Sequence, residues 1–356
     1  MYKTFKYRIK DSNQNLHNTI MEMGFAVNRI WNNANESQIR ALRTEGAKWP
    51  SAFDLSNDTS GWCKPLSLHS TTVQETNQQY TKSRVQFKKS HLKFRSNKKS
   101  LTWIPFKSSA LRIDRETGGV KFNKLEFNLF YSRPFEGQIK TGSITADARG
   151  RLYLNLVCKL EDFVGPVQFK EVGIDLGLKS TAVLSDGTTY GAQRYFRQYQ
   201  RKLATAQRAG HKKQTRNIHA KIANKRKDFN HKLSNEITNK YSHIYIGDVK
   251  SSDIIKLPNM AKSVYDVSWF QLKSPLFYKA LAKGKICREV SERWSTQACS
   301  DCGSISEASP KGQAGLNIRE WICPNCGTSH NRDINAARNV LRSGHRSLLN
   351  NSLVTN

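Results

Sequence analysis

The sequence predicts an α/β chain of more than one domain: an antiparallel β domain interrupted by helices, then a mixed α/β domain carrying two pairs of cysteines. Three observations predict it. Residues 1–13 and the segments between Leu101 and Leu160 alternate apolar and polar with the period of strands, while the text between them recurs at helical spacing. From Glu171 short apolar runs alternate with helical text, the pattern of an α/β domain. Two CxxC pairs, Cys299/Cys302 and Cys323/Cys326, sit near the end of that second domain. The 356 residues suffice for two or three separate cores.

Taken in order, a strand over residues 1–13 gives way to a helix from Leu16 through NTIMEMGFAVNRIWNNANESQIRALR. Gly61 and Pro65 interrupt the helical block, which resumes in VQETNQQYTKSRVQFKKS. Residues 82–99 then hold eight Lys or Arg and no acid. LTWIPF, VKFNKLEFNLF, GQIKTGSITAD and RLYLNLVCKL, with turns such as that at Gly150, predict a small antiparallel barrel. A domain boundary is placed near Pro166. EVGIDLG and STAVLSDG read as strands, 192–240 as a helical pair, and HIYIGDV and KICREVSE as two further strands. A last helix, AARNVLRS, leads into a polar tail expected to be disordered.

The charge names a class of partner. With 58 Lys and Arg against 28 Asp and Glu, the formal net charge is +30, which repels itself unless a polyanion neutralises it. Nucleic acid is the expected partner, and no apolar stretch reaches the roughly 18 residues needed to span a membrane. MYKTFKYRIKDSN has no apolar signal core, so a cytoplasmic, nucleoid-associated location is expected. Seven cysteines in such a chain argue against a disulfide framework, and Cys63, Cys158 and Cys287 read as packing or surface thiols.

The two CxxC knuckles are separated by twenty residues and offer four thiolates to one tetrahedral ion, the pattern of a structural zinc ribbon. His330, four residues past Cys326, is a candidate substitute ligand, but with four thiols available it is expected to contact phosphate or pack locally. Asp175 ends an apolar strand beside a glycine, a place suited to holding Mg²⁺ and also to an ordinary turn. Asp333, in HNRDINAARN at a helix start, reads either as a ligand or as an N-cap.

GIDLGLKSTAVLSDG, STQACSDCG and WICPNCGTSHNRDINAARNVL together resemble the transposon-encoded TnpB proteins, relatives of type V CRISPR effectors. The resemblance covers most of residues 85–342 and is most specific in the last 45 of them. It implies an RNase H-like RuvC nuclease core over 166–298 and 328–345, with an inserted zinc ribbon at 299–327. A wedge-like β-barrel over 1–14 and 100–165, a helical recognition insertion at 15–99 and a tail at 346–356 complete the expected plan. It further implies an RNA-guided endonuclease that cuts double-stranded DNA beside a short adjacent motif, with two Mg²⁺ ions, a structural Zn²⁺ and a guide RNA from the transposon end. Asp175 and Asp333 match two of the family's metal-binding aspartates. The third ligand, a glutamate ending the middle strand, is missing: HIYIGDV has Gly247 there, with Asp248 beside it.

Glu292 is the expected replacement. In an RNase H-like sheet KICREVSE lies beside HIYIGDV, so a carboxylate at its C-terminal end reaches the same site. Glu289, three positions earlier, faces the other side of a strand, and Asp248 reaches the site only through a bulge. For nucleic acid, Gln74, Gln78, Arg84, Lys88 and Lys89 are expected on a motif-reading helix, and Lys212, Lys213, Arg216, Lys225, Arg226 and Lys227 along phosphates. Trp103 and Phe106 either stack on bases or fill the barrel. Two rival readings stand beside the nuclease: a nuclease-inactive RNA-guided repressor, favoured by the missing glutamate, and a zinc-ribbon accessory protein of transposition. Monomer and dimer are equally compatible with the sequence.

Overall fold

The computed structural model describes residues 1–10, 13–162, 168–256, 260–311 and 314–352. Two compact units emerge, Met1–Glu161 and Asp162–Asn356. The boundary expected near Pro166 lies outside the described residues.

The first unit begins with β1 (Tyr2–Ile9), whose alternation buries Phe5, Tyr7 and Ile9 on one face. Helix α1 (Gln14–Arg43) follows, capped by the Asn13 side chain and burying Ile20, Met23, Val27, Ile30 and Ala34, a stripe at spacings of three and four. The interruption around Gly61 is preceded by a short helix that the sequence did not reveal, α2 (Ala52–Asp58), held by a capping box between Ser51 and Asp54. Next comes α3 (Ser70–Gln86). The remaining strands are β2 (Trp103–Lys107), β3 (Leu111–Ile113), β4 (Gly119–Phe122), β5 (Leu125–Phe130), β6 (Gln138–Ala146) and β7 (Leu152–Lys159). VKFNKLEFNLF is thus a hairpin of two strands, turning at Asn123, which has φ 55°. These strands form one sheet in the order β2-β6-β7-β1-β5-β4-β3, antiparallel throughout.

The basic stretch ahead of β2 has little regular structure, yet α1 holds it. Asn35 Oδ1 accepts from the Leu92 amide at 2.9 Å, Asn32 Oδ1 from the Arg95 amide at 2.7 Å, and Asn28 Oδ1 from Arg95 Nε at 2.6 Å. Asparagines three and four apart along one helix face therefore replace a sheet partner for that backbone.

The second unit is built on β8 (Glu171–Asp175), β9 (Ser180–Leu184) and β10 (Thr189–Gly191), then α4 (Tyr195–Arg208), α5 (Lys212–Lys240) and β11 (His243–Gly247). After α6 (Ser251–Ile254), α7 (Ala261–Val267) and α8 (Trp269–Ala282) come β12 (Ile286–Val290), the small hairpin β13 (Glu320–Ile322) and β14 (Ser329–Asn331), and α9 (Arg332–Ser352). The five-stranded sheet runs β10-β9-β8-β11-β12, with β8, β11 and β12 parallel and the rest antiparallel. Helix α9 continues through Ser352, past the point where a tail was expected at 346, and 353–356 lie outside the described residues.

Two glycines let α9 lie against this sheet. A Cβ on Gly173 of β8 would stand 2.1 Å from the Ala337 carbonyl oxygen, and one on Gly344 of α9 would stand 2.2 Å from the Tyr245 ring. Only glycine at both places allows so close an approach, which sets where the start of α9 falls relative to the end of β8.

Candidate metal centres

The four cysteines are assembled. Cys299, Cys302, Cys323 and Cys326 bring their sulfurs within 4.8 Å of one another, and among the described residues no other group of three or more His, Cys, Asp or Glu does so. The two knuckles share one construction. The amide of Cys299 donates to Ser304 O at 2.9 Å and that of Gly303 to Cys299 O at 2.9 Å; the amide of Cys323 donates to Thr328 O at 2.9 Å and that of Gly327 to Cys323 O at 2.8 Å. Gly303 and Gly327 have φ of 80° and 72°, the left-handed conformation that closes each loop. Cys299 and Cys326 sulfurs lie 3.6 Å apart, and those of Cys302 and Cys323 3.7 Å. Thiolates at about 2.3 Å from a tetrahedral zinc stand about 3.8 Å apart, so the four sulfurs could hold such an ion.

His330 does not reach toward phosphate. It is buried, with Nε2 3.0 Å from Cys299 Sγ and its ring 4.9 Å from that of Trp321. Hydrogen bonding from Ser304 holds Cys323 down to about 6, while burial pushes Cys299 up to about 11.

The ribbon is fastened to α9 through two asparagines one helical turn apart. Asn335 Nδ2 donates to Ala298 O at 2.8 Å and Ser295 O at 3.2 Å; Asn339 Nδ2 donates to the same carbonyls at 2.7 and 2.8 Å. Asn335 Oδ1 accepts from the Ser300 amide at 2.8 Å. The two asparagines of NAARN therefore have a structural task, positioning the knuckle against the helix that carries Asp333.

The carboxylates gather at the C-terminal ends of the parallel strands, where open α/β sheets place their sites. Asp175 is the last residue of β8. Burial first, then the charges of Glu292 and Asp333, raise it to about 7, with Arg332 opposing. Asp333 stands in the first turn of α9. The cap is Asn331, whose Oδ1 accepts from the amides of Asp333 and Ile334 at 3.1 and 3.2 Å, which leaves the Asp333 carboxylate for other contacts. Arg319 takes both its oxygens, at 3.1 and 3.0 Å. No sequence signal marks Arg319, which approaches from across the ribbon.

Glu292 sits two residues past the end of β12, so strand alternation does not decide its direction. Its placement is specific nonetheless: a Cβ built on Gly247 would stand 2.5 Å from Glu292 Oε2. The carboxylate of Glu292 thus occupies the space that a side chain at 247 would fill. Burial, then the charge of Asp248, raises Glu292 to about 7, with Lys273 acting against them. Asp248 Oδ1 accepts from the Glu292 amide at 3.1 Å. Glu289 is exposed and pairs with Lys273 Nζ, which also donates to Val249 O at 3.3 Å.

Of the residues expected to meet nucleic acid, Gln74 and Gln78 lie on α3 and line, with Asn57, Ser60 and Lys107, a cavity of about 490 Å³. Arg84 is buried, bonded to Gln38 Oε1 and stacked 5.2 Å from the Trp49 ring, so it braces the helical unit and presents no free guanidinium. Helix α3 ends at Gln86, which leaves Lys88 and Lys89 exposed beyond it. Lys212, Lys213, Arg216, Lys225 and Lys227 are exposed on α5. Arg226 is instead paired with buried Asp266 at 3.0 Å, the carboxylate that also accepts from the Phe196 amide at the start of α4. Phe106 is fully buried against Phe122, whereas Trp103 meets Trp31 edge-on with the Arg95 guanidinium 5.6 Å from each ring. Among the described residues no helix is long and apolar enough to cross a membrane.

Comparison with known proteins agrees with this anatomy. Residues 269–340, which hold the four cysteines and the start of α9, match the family described as Cas12f1-like, TNB domain, and residues 155–257 match the IS605 OrfB family, described as a probable transposase. A protein of Streptomyces pristinaespiralis named "Putative RNA-guided DNA endonuclease" is 29% identical over 367 residues, covering 96% of this chain and 89% of the relative. InsQ of Escherichia coli (strain K12), with a similar name, is 26% identical over 265 residues, 66% of this chain and 64% of the relative. The CRISPR-associated endodeoxyribonuclease Cas12f1 of Sulfoacidibacillus thermotolerans is 26% identical over 230 residues, 58% of this chain and 53% of the relative. Matched segments and relatives together place the chain's likeness among transposon-encoded and CRISPR-associated proteins named as endonucleases. Within that class, the chain is similar to the IS605 OrfB family and to proteins named TnpB-like, 27% identical over 135 residues.

Proposed function

We propose that this protein is an RNA-guided endonuclease that hydrolyses double-stranded DNA beside a short adjacent motif, with Asp175, Glu292 and Asp333 as the metal-holding carboxylates. The observation that carries the proposal is the occupation of the Gly247 side-chain space by Glu292 Oε2. The carboxylate that the middle strand lacks is supplied there by the chain leaving the neighbouring strand. The strand order β10-β9-β8-β11-β12, with β8, β11 and β12 parallel, is compatible with an RNase H-like RuvC core and supports that reading.

Three carboxylates from β8, the β12 exit and α9 are a hard-oxygen donor set suited to Mg²⁺. Bound Mg²⁺ would supply Lewis-acid stabilisation of the reacting phosphate. The protein's own part is to hold these carboxylates in place, with Asp175 and Glu292 surrendering their protons near neutral pH. The four thiolates hold Zn²⁺ as a structural ion, keeping the ribbon docked beside Asp333. The net charge of +30 and the exposed lysines of α5 suit a guide RNA and its DNA target, with the base pairs carrying sequence choice. Residues 15–99 would act as the recognition insertion and the seven-stranded sheet as the wedge.

One observation favours a second reading, an RNA-guided repressor that binds without cutting: Arg319 engages both oxygens of Asp333. Cleavage of a matched DNA library in Mg²⁺, by protein co-expressed with RNA from its flanking locus, separates the two. The nuclease reading expects cutting by wild type, none by Asp175→Ala or Glu292→Ala, and recovery in the exchange variant Gly247→Glu with Glu292→Gly. Equal cutting by Glu292→Ala removes Glu292 from the site, and binding without cutting by wild type favours the repressor.

A further inference from the structure

We infer that Asp248 is a positioning residue that fixes Glu292 over Gly247 by holding its backbone, and is not itself a metal ligand. The inference rests on Glu292 being the third carboxylate. A glutamate outside a strand has no ladder to hold it, and a carboxylate that must stand at one point above the sheet needs its Cα placed by other means. The structure supplies these around a single intervening residue.

The parallel pairing of β11 and β12 ends with Gly247 beside Val290. One step further, the Asp248 amide donates to Val290 O at 2.9 Å, extending the pairing to the residue before the turn. The same residue's Oδ1 then accepts from the Glu292 amide at 3.1 Å. Asp248 therefore grips the chain on both sides of Ser291, with its backbone behind and its side chain ahead. On the far side, Glu292 O accepts from the Ser295 amide at 3.0 Å, which begins the turn into the ribbon. Held at both ends, Glu292 has its Cβ 3.5 Å and its Oε2 2.5 Å from where a Gly247 Cβ would be.

The chemistry makes the role separable from ligation. A backbone N–H needs only a short side chain with an oxygen acceptor, which asparagine supplies as well as aspartate, whereas a hard divalent cation needs the negative charge. The test measures cleavage together with Mn²⁺ affinity by calorimetry and amide exchange of peptides spanning 288–296, in Asp248→Asn, Asp248→Ala and Glu292→Gln. Expected are near wild-type values for Asp248→Asn, and for Asp248→Ala a loss of about 10–100-fold in turnover and metal affinity with faster exchange across the segment. Glu292→Gln loses cleavage without faster exchange.

Loss of cleavage and metal affinity in Asp248→Asn overturns the inference, because the charge would then be what matters. Wild-type behaviour of Asp248→Ala overturns it as well. If Asp248→Ala does not fold, the asparagine variant decides alone. Wild-type cleavage by Glu292→Gln would instead remove the underlying assignment, an outcome distinct from either.

Discussion

The two candidate metal centres of this chain are built in opposite ways. The four sulfurs converge within 4.8 Å, each pair supplied by a six-residue loop closed by its own amides. The carboxylates come from a strand end, a strand exit and a helix start and do not converge to that distance, and burial with neighbouring charge raises Asp175 and Glu292 to about 7. Thiolates in a knuckle are brought together by short-range backbone bonds. Carboxylates at strand ends are brought together by packing, and their like charges resist the meeting until a cation arrives.

The largest effect expected from this contrast follows from removing one sulfur. Cys323→Ser leaves three ligands and should release zinc, since structural zinc sites contribute about 10–16 kcal/mol of apparent binding free energy to folding. Metal content per chain and amide exchange across 295–340 read this directly. Retained zinc and unchanged exchange would break the claim that the quartet is a structural site.

Next in size is the packing on which the carboxylates depend. Gly173→Ala drives a methyl group into the α9 backbone at Ala337 and is expected to cost about 3 kcal/mol, with α9 displaced. Cleavage should fall while zinc content stays the same, because the knuckles close on themselves. Loss of both would mean that the two centres are less independent than their construction indicates.

The smallest effect concerns protons. Asp175 and Glu292 have folded-state values near 7, above those of a free carboxylate, so the folded state binds more protons than the unfolded one between about pH 4 and 7. Stability contributed by these groups is therefore full below about pH 4 and lost as pH rises through 7. Asp175→Asn should flatten that loss, leaving the metal-free protein more stable by about 1–2 kcal/mol at pH 8 and little changed at pH 4. Mg²⁺ should raise the melting temperature of wild type at pH 8 and that of the variant much less. A destabilised Asp175→Asn at pH 8 would contradict the crowding of charge at this site.

Some of this was readable before any fold was known. The cysteine quartet was, because CxxC followed by glycine states its loop geometry within six residues. The ends of β8 and β11 were, because strand periodicity stops at Asp175 and Gly247. Arg84 and Arg226 were not separable from their basic neighbours: each sits in a run of like charge, and only the packing of Gln38 and Asp266 against them takes them out of solvent. The asparagines of α1 gave no signal either, since their partners are backbone groups more than 50 residues away.

By itself the sequence determined the class of partner, the cysteine quartet and the absence of a glutamate at the end of β11, since charge, spacing and a missing side chain are local properties. Only the tertiary structure decided that Glu292 fills the empty place, that Asn331 and not Asp333 caps α9, and that Asp248 turns to the Glu292 amide. Those outcomes depend on where three segments cross above the sheet. Two glycines set one of those crossings by allowing a helix to touch the strands, a distance that no spacing along the chain records.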